Sequence, residues 1–202
     1  MNLFTFLLLF PALLFNSEIE SPKTTHTLLE ENTLRTVVLI RHAKSSHENP
    51  EWLDIERPLG PRGYNDAPFM GEKLKEKGIN FDLIIASPSQ RTTETIHLIC
   101  KEIGYPVDNI IWDSSVYLSS SENLINIIRE LDNGINTVGI VGHNPSMTEM
   151  ANSLQKNEKI ENVPTTGIVS VSFAIENWAD LKLKKGKLNY FIYPKKYKKK
   201  EQ

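Results

Sequence analysis

This 202-residue chain is nearly without cysteine: Cys100 is the only one, so no disulfide can close within it. No Cys pair and no closely spaced His pair offers the donors of a structural zinc site. Strong charge of either sign is also missing. A formal net charge of −2 removes any global attraction to nucleic acid or acidic membranes. No apolar run reaches the ~20 residues that span a bilayer comfortably, and Thr5 and Pro11 interrupt the longest, Leu3 to Phe15. No internal repeat is visible.

What is present suits one catalytic domain, since 40% hydrophobic residues in a chain of this length can bury a sizeable single core. Residues 1–17 are an apolar segment of signal-peptide length. No Lys or Arg precedes their apolar core, no small-x-small cleavage site follows, and no nearby cysteine could carry a lipid, so a weak export or membrane-associated tail and a non-targeting start both stay open. Residues 18–35 are polar and non-periodic and read as a linker. From Thr36 onward strands alternate with helical stretches, the pattern of an α/β fold with a largely parallel sheet. The expected helices lie near 62–78, 89–103, 121–132 and 145–154, and the expected strands near 36–41, 82–86, 109–112 and 136–141. Two later β-rich runs, Ile168–Phe173 and Leu188–Tyr193, are placed at the sheet edge, so the domain covers 36–194. Residues 195–202 are a basic tail with five lysines among Lys195-Lys196-Tyr197-Lys198-Lys199-Lys200. Such a block could touch nucleic acid or anionic lipid, but a solvated, unstructured tail is the expectation, with no nucleic-acid partner. Cys100 reads as a buried structural thiol and His97 as a polar-face or boundary residue of the same helix.

Three apolar runs end in residues that carry chemistry. Val37-Val38-Leu39-Ile40 leads into Arg41-His42, Leu83-Ile84-Ile85-Ala86 into Ser87-Pro88-Ser89-Gln90-Arg91, and Val138-Gly139-Ile140-Val141-Gly142 into His143. Short β-branched runs suit strands buried on both faces, and ligands of open α/β sheets sit beyond the carboxyl ends of such strands. Side by side, these strands bring two imidazoles and two guanidiniums to one point. Arginine offers a planar fork of donors to phosphate oxygens, and a neutral imidazole held in one tautomer is a competent nucleophile. Ser87-Pro88 and Asn144-Pro145 read as N-caps followed by Pro at the first helical position, which would put Arg91 and His143 near helix N-termini that favour an anion. One histidine alone would read as structural; two at strand ends beside arginines point to a phosphoryl pocket.

Arg41-His42-Ala43-Lys44-Ser45-Ser46, Glu56-Arg57-Pro58-Leu59, Ser87-Pro88-Ser89-Gln90-Arg91 and Val141-Gly142-His143-Asn144-Pro145, in this order and spacing, resemble the histidine phosphatase superfamily. The stretch from about Thr36 to Pro194 is similar to the SixA-like phosphohistidine phosphatases of its first, phosphoglycerate-mutase-like branch. The resemblance implies a three-layer α/β/α sandwich with a mostly parallel sheet. It implies His42 as nucleophile, with Arg41, Arg57, Arg91 and His143 around the phosphoryl group and His143 also counted as catalytic. It implies no metal and no cofactor. Ala43 stands where glycine is more usual, a change small enough to fit.

A carboxylic acid that protonates a departing alkoxide is harder to find. One branch of the superfamily carries it directly after the second histidine, where this chain has Asn144. The other carries it in the loop before the middle helix, where Ser119-Ser120-Ser121 stands. Ser119-x-x-Glu122 reads as a capping box, which leaves Glu122 and Glu94 as the nearest candidates. A site without an acid favours phosphohistidine, whose imidazole leaves more readily than an alkoxide. The expectation is therefore a metal-independent phosphatase acting on a phosphohistidine-bearing protein, in the cytoplasm by the same resemblance. The alternatives are a small-molecule phosphomonoester phosphatase and a non-catalytic phosphate-binding module, with membrane contact or export through residues 1–17.

Overall fold

Short β-branched runs separated by amphipathic stretches assemble into one six-stranded sheet with helices on both faces. The computed structural model describes residues 34–156 and 158–198, so the expectations for residues 1–33 and 199–202 lie outside the described residues. The elements run β1 (Leu34–Arg41), α1 (Pro61–Glu76), β2 (Leu83–Ala86), α2 (Gln90–Ile103), β3 (Ile110–Trp112), α3 (Ser121–Arg129), β4 (Thr137–Gly142), α4 (Ser146–Leu154), β5 (Ile168–Ala174), β6 (Lys187–Ile192) and a short α5 (Pro194–Lys198). The strand order is β3-β2-β4-β1-β5-β6. The first four are mutually parallel, while β5 runs antiparallel to β1 and β6 antiparallel to β5. The expected α/β class holds, and the two late runs do close one edge.

The alternation of β1 decides the layers. Val37 and Leu39 face one core with Leu124, Ile128, Met147 and Met150 of α3 and α4. Val38 and Ile40 face the other with Met70, Leu74, Ile96 and Ile99 of α1 and α2. All four β1 residues are fully buried, each contributing about 1.5–3 kcal/mol relative to exposure. In α2 the buried positions Thr92, Thr95, Ile96, Ile99 and Cys100 recur at helical spacing. Gly104 ends that helix at φ 77°, a left-handed cap that any Cβ would strain. Cys100 sits inside this layer, where burial pushes its thiol up to about 12, in keeping with a structural role. His97 is exposed and stacks edge-on against Trp112.

Among the boundaries that differ from the sequence reading, three have a clear physical cause. Strand β1 starts at Leu34, not 36, because Arg35 is 5% exposed and tied down: its guanidinium donates to the carbonyls of Ile135 and Glu176 and to Asn136 Oδ1. The basic tail is helical over its first residues, where Lys196 Nζ donates to the Phe191 carbonyl and Tyr197 stacks on Phe69. The N-cap of α3 is Ser120, whose side chain accepts from Asn123 N, so the capping box expected from Ser119 and Glu122 does not form. Among the described residues no helix is long and apolar enough to cross a membrane.

Candidate active site

Strand register brings the two histidines together. Arg41 is level with Gly142 in the β1–β4 pair, and His42 N donates to the Gly142 carbonyl, so His42 and His143 leave adjacent strands at the same height. Their rings lie 5.1 Å apart. Ser87 leaves β2 beside them, its amide donating to the Val141 carbonyl. Helix α2 then presents Arg91 in its first turn, as expected of an anion-facing helix start. A cleft of about 310 Å³ opens here, lined by Arg41, His42, Arg57, Arg91 and His143 among others. All five residues picked from the sequence therefore share one cavity.

His42 is 9% exposed, and its Nδ1 lies 2.7 Å from the Ala43 carbonyl oxygen. A carbonyl only accepts, so Nδ1 carries the proton and Nε2 keeps its lone pair. Burial, outweighing the pull of that carbonyl and assisted by His143, Arg91 and Arg41, lowers the ring to about 3. His42 is thus neutral at physiological pH, the state a nucleophile requires. Its loop is held closely. Ala43 N donates to Thr95 Oγ1, which itself donates to the Arg91 carbonyl. Gly63 of α1 lies so near this loop that a Cβ there would sit 2.3 Å from the Lys44 carbonyl oxygen. Ala43 is fully buried against Leu59 and Ala67, so the residue standing for glycine is accommodated.

His143 has both nitrogens engaged. Nδ1 accepts from Arg91 Nη2 at 3.2 Å, so Nε2 bears the proton and donates to Ser87 Oγ at 2.9 Å. Burial first, then the charge of Arg91, brings this ring down to about 4 against the opposing pull of Asp54. The first turn of α4 holds its backbone, with Met147 N and Ser146 Oγ donating to the His143 carbonyl. Arg41 donates through Nη1 to the Val163 carbonyl, while its buried Nε–H has no partner among the described residues.

Both caps expected from the sequence are corrected. Helix α2 starts after Ser89, which frees the buried Ser87 hydroxyl for His143. Helix α4 follows Pro145, and Asn144 spends its side-chain amide on Asn162 Oδ1 and the Val163 carbonyl. The two acid candidates fare no better. Glu94 accepts from Leu59 N and Gln90 Nε2, and neither Glu94 nor the exposed Glu122 lines the cleft. The carboxylate that does is Asp54, missed in the sequence. Its Oδ1 accepts from Arg57 Nη1 at 2.9 Å, and its Oδ2 from Arg91 Nη2 and the Tyr117 hydroxyl at 2.8 Å each. Burial would raise this carboxyl, but the bonds from Tyr117 and Arg91 and the charges of Arg91 and Arg57 outweigh it and bring it down to about 2. Its signal was faint: an acidic residue three before Arg57, an ion-pair spacing in a helical turn. Among the described residues no three His, Cys, Asp or Glu side chains converge as metal ligands.

Known proteins resemble this chain in sequence and in fold. Residues 37–112 match the sequence profile of the histidine phosphatase superfamily (branch 1). The serine/threonine-protein phosphatase Pgam5, mitochondrial, of Drosophila ananassae is 33% identical over 109 residues, 52% of this chain and 32% of that one. An uncharacterized chloroplastic protein of Arabidopsis thaliana is 31% identical over 128 residues, 59% of each chain. The chain thus spans from a third to three fifths of these curated relatives. Among solved structures, the protein histidine phosphatase SixA complexed with tungstate superposes with a TM-score of 0.69 at 20% identity, over 80% of this chain and 98% of that one. That likeness is one of fold.

Proposed function

We propose that this chain belongs to branch 1 of the histidine phosphatase superfamily, whose profile matches residues 37–112, and is a metal-independent phosphatase that passes a phosphoryl group through His42 and takes it from phosphohistidine on a protein. The carrying observation is the neutral His42, with Nε2 free, in a cleft rimmed by three guanidiniums. In the first step Nε2 attacks phosphorus in line while Arg41, Arg57, Arg91 and His143 hold the non-bridging oxygens. The unpartnered Nε–H of Arg41 is ready for such an oxygen. For His143 to donate, Arg91 turns from Nδ1 to the phosphoryl group and the ring shifts its proton to Nδ1. The Ser87 hydroxyl permits this, since it can donate to Nε2 as readily as accept. In the second step water hydrolyses phospho-His42 and phosphate departs. The arginines supply the positive charge that metal ions provide in other phosphoryl-transfer sites.

Two features favour a protein phosphoramidate. Asp54 is held as an anion in this cleft, so no carboxylic acid stands ready for a departing alkoxide, whereas imidazole needs less help. Leu118, which lines the cleft, is 65% exposed, and Leu53 and Ile55, which flank Asp54 in the chain, are 65% and 37% exposed, apolar side chains suited to a protein partner. The rival is a phosphate ester, and the likeness to Pgam5 supports an ester on serine or threonine. Turnover of a phosphohistidine peptide and of phosphoserine, measured side by side with and without chelator, separates the two. The expected outcome is preference for the peptide, indifference to chelator and acid-labile phosphate trapped on His42. A His42→Ala variant with near-normal turnover sinks the mechanism, and a preference for phosphoserine transfers the substrate to the ester class. A cytoplasmic location belongs to the same proposal, and recovery of the full chain from an exported fraction counts against it.

A further inference from the structure

We infer that Asp54 sets the phosphate affinity of this cleft: its carboxylate holds Arg57 and Arg91, must yield them to an incoming phosphoryl group, and so limits how tightly phosphate is retained. This deepens the phosphatase reading and rests on it only in taking the cleft as a seat for phosphate.

The hydrogen bonds of the two arginines carry the argument. Arg91 spends one Nη2 hydrogen on Asp54 Oδ2 and the other on His143 Nδ1, and its Nη1 donates to the Asp54 carbonyl. Arg57 spends both Nη2 hydrogens, on Ser45 Oγ and His47 Nε2 at 2.6 Å each, its Nε–H on the Ser46 carbonyl, and an Nη1 hydrogen on Asp54 Oδ1. Most donors of both forks are therefore committed, and Asp54 is the partner they share. A guanidinium suits a bidentate oxyanion, and an arriving phosphoryl group offers the same geometry with more charge. It can engage both forks only by competing with the carboxylate.

Charge points the same way. The cleft is lined by the cations Arg41, Lys44, Arg57 and Arg91, and Asp54 is the sole carboxylate among its described lining residues. The His42 and His143 imidazoles are held neutral and that of His47 is lowered chiefly by Arg57, so Asp54 alone balances the cations. Without Asp54 the cleft would present four uncompensated cations to a product it has to release. The Tyr117 hydroxyl on Oδ2 keeps the carboxylate turned inward, and its ring packs edge-on against His143. After hydrolysis the carboxylate is placed to reclaim the forks and help phosphate leave.

A merely structural role predicts the opposite result from a counter-charge. If Asp54 only positions the arginines, removing it loosens the cleft and weakens anion binding. If it competes for them, removing it strengthens binding. Calorimetric titration of inorganic phosphate into the full chain at near-neutral pH and low salt decides between these. Asp54→Asn is expected to bind phosphate at least about tenfold more tightly, from the Coulomb energy of one removed charge discounted for its exposure. Asp54→Ser carries the same expectation and provides a second fold-tolerant variant. Asp54→Glu and Tyr117→Phe, which keep the negative charge, should stay within about threefold of the wild type on the same reasoning. Wild type that binds phosphate while Asp54→Asn and Asp54→Ser bind it equally or more weakly overturns the inference and leaves the phosphatase reading intact. Wild type, Asp54→Asn and Asp54→Ser that all bind no phosphate remove the oxyanion site, and both readings fall together.

Discussion

His42, Arg91 and His143 are 9%, 4% and 3% exposed and hang from strand ends and a helix start, where the backbone hydrogen bonds of the sheet and of two helix first turns fix their main chain. Across the cleft, the Asp54 and Arg57 side chains are 47% and 20% exposed; they pair with one another, Asp54 also accepts from Arg91 and Tyr117, and Arg57 also engages Ser45, Ser46 and His47. The floor of the cleft is thus fixed by the sheet, and the wall by ion pairs. Rigid placement suits groups that act on the reacting phosphorus, where small misplacement is costly. A wall of competing charges suits groups that must change partner as ligand comes and goes. An exposed ion pair contributes little to stability, so the wall can rearrange without unsettling the core beneath it.

The two arginines give the sharpest way to break this contrast. Arg91→Ala should lower kcat/KM at least about 10²-fold, the loss typical of removing one preorganised donor at a developing oxyanion. Arg57→Ala should cost less, about tenfold, because a wall residue that is partly solvated contributes less charge stabilisation. Steady-state kinetics on one substrate ranks them directly. A larger loss for Arg57→Ala would show the wall to be as demanding as the floor.

The same contrast explains what could be read from residues alone. β1, β2 and β4 announce themselves as short β-branched runs, and parallel strands of an α/β sheet end at a common edge. The positions of His42, His143 and Arg91 follow from that rule. Ser87 obeys it too, one residue past β2 as His42 is past β1 and His143 past β4, but the Ser-Pro pair suggested a helix cap and hid it. Asp54 and Tyr117 come from stretches without periodicity, where no strand or long helix fixes a side chain's direction. Their meeting 63 residues apart is a tertiary event. Glu94 and Glu122 lay at suggestive positions in the chain, yet local demands claimed one for a loop amide and left the other in solvent.

Acid should distinguish floor from wall by stability. In the unfolded chain both floor imidazoles take up a proton near 6.5; in the folded chain burial delays this to about 3 for His42 and about 4 for His143. A folded value below the unfolded one means the unfolded state binds more protons as pH falls. The stability these groups contribute is therefore intact above about pH 6.5 and is lost progressively toward about pH 4, by about 1.4 kcal/mol per pH unit for each ring. Asp54 adds to the loss only lower down, as pH falls from its ordinary value of 3.8 toward about 2. Denaturant melts across this range should show the decline, and His42→Ala should make it shallower. An unchanged slope in that variant would mean the ring is not held neutral by the fold.

The smallest effect is expected at the chain's entry into the domain, where two deletions that differ by two residues should behave differently. A chain starting at Leu34 retains every hydrogen bond described for β1, and Leu34 itself is 47% exposed at the strand's outer end. Activity should match the full chain, with the melting temperature within about 2 °C, since little buried surface is exposed. A chain starting at Thr36 loses Arg35 as well. That guanidinium ties β1 to the carbonyls of Ile135 and Glu176, joins Asn136, and lies 5.9 Å from the centre of the buried Trp178 ring. Removing it takes a charged donor from the part-buried bonds to Ile135 and Glu176, though the Ile135 carbonyl keeps Trp178 Nε1, at a cost of about 1–3 kcal/mol. The melting temperature should fall by several degrees, while kcat per folded molecule stays unchanged because the site lies at the opposite, carboxyl end of the strand. If the Leu34 start also loses stability, the segment before it contributes to the fold. If the Thr36 start loses kcat as well, the floor is less independent of the rest of β1 than its hydrogen bonds imply.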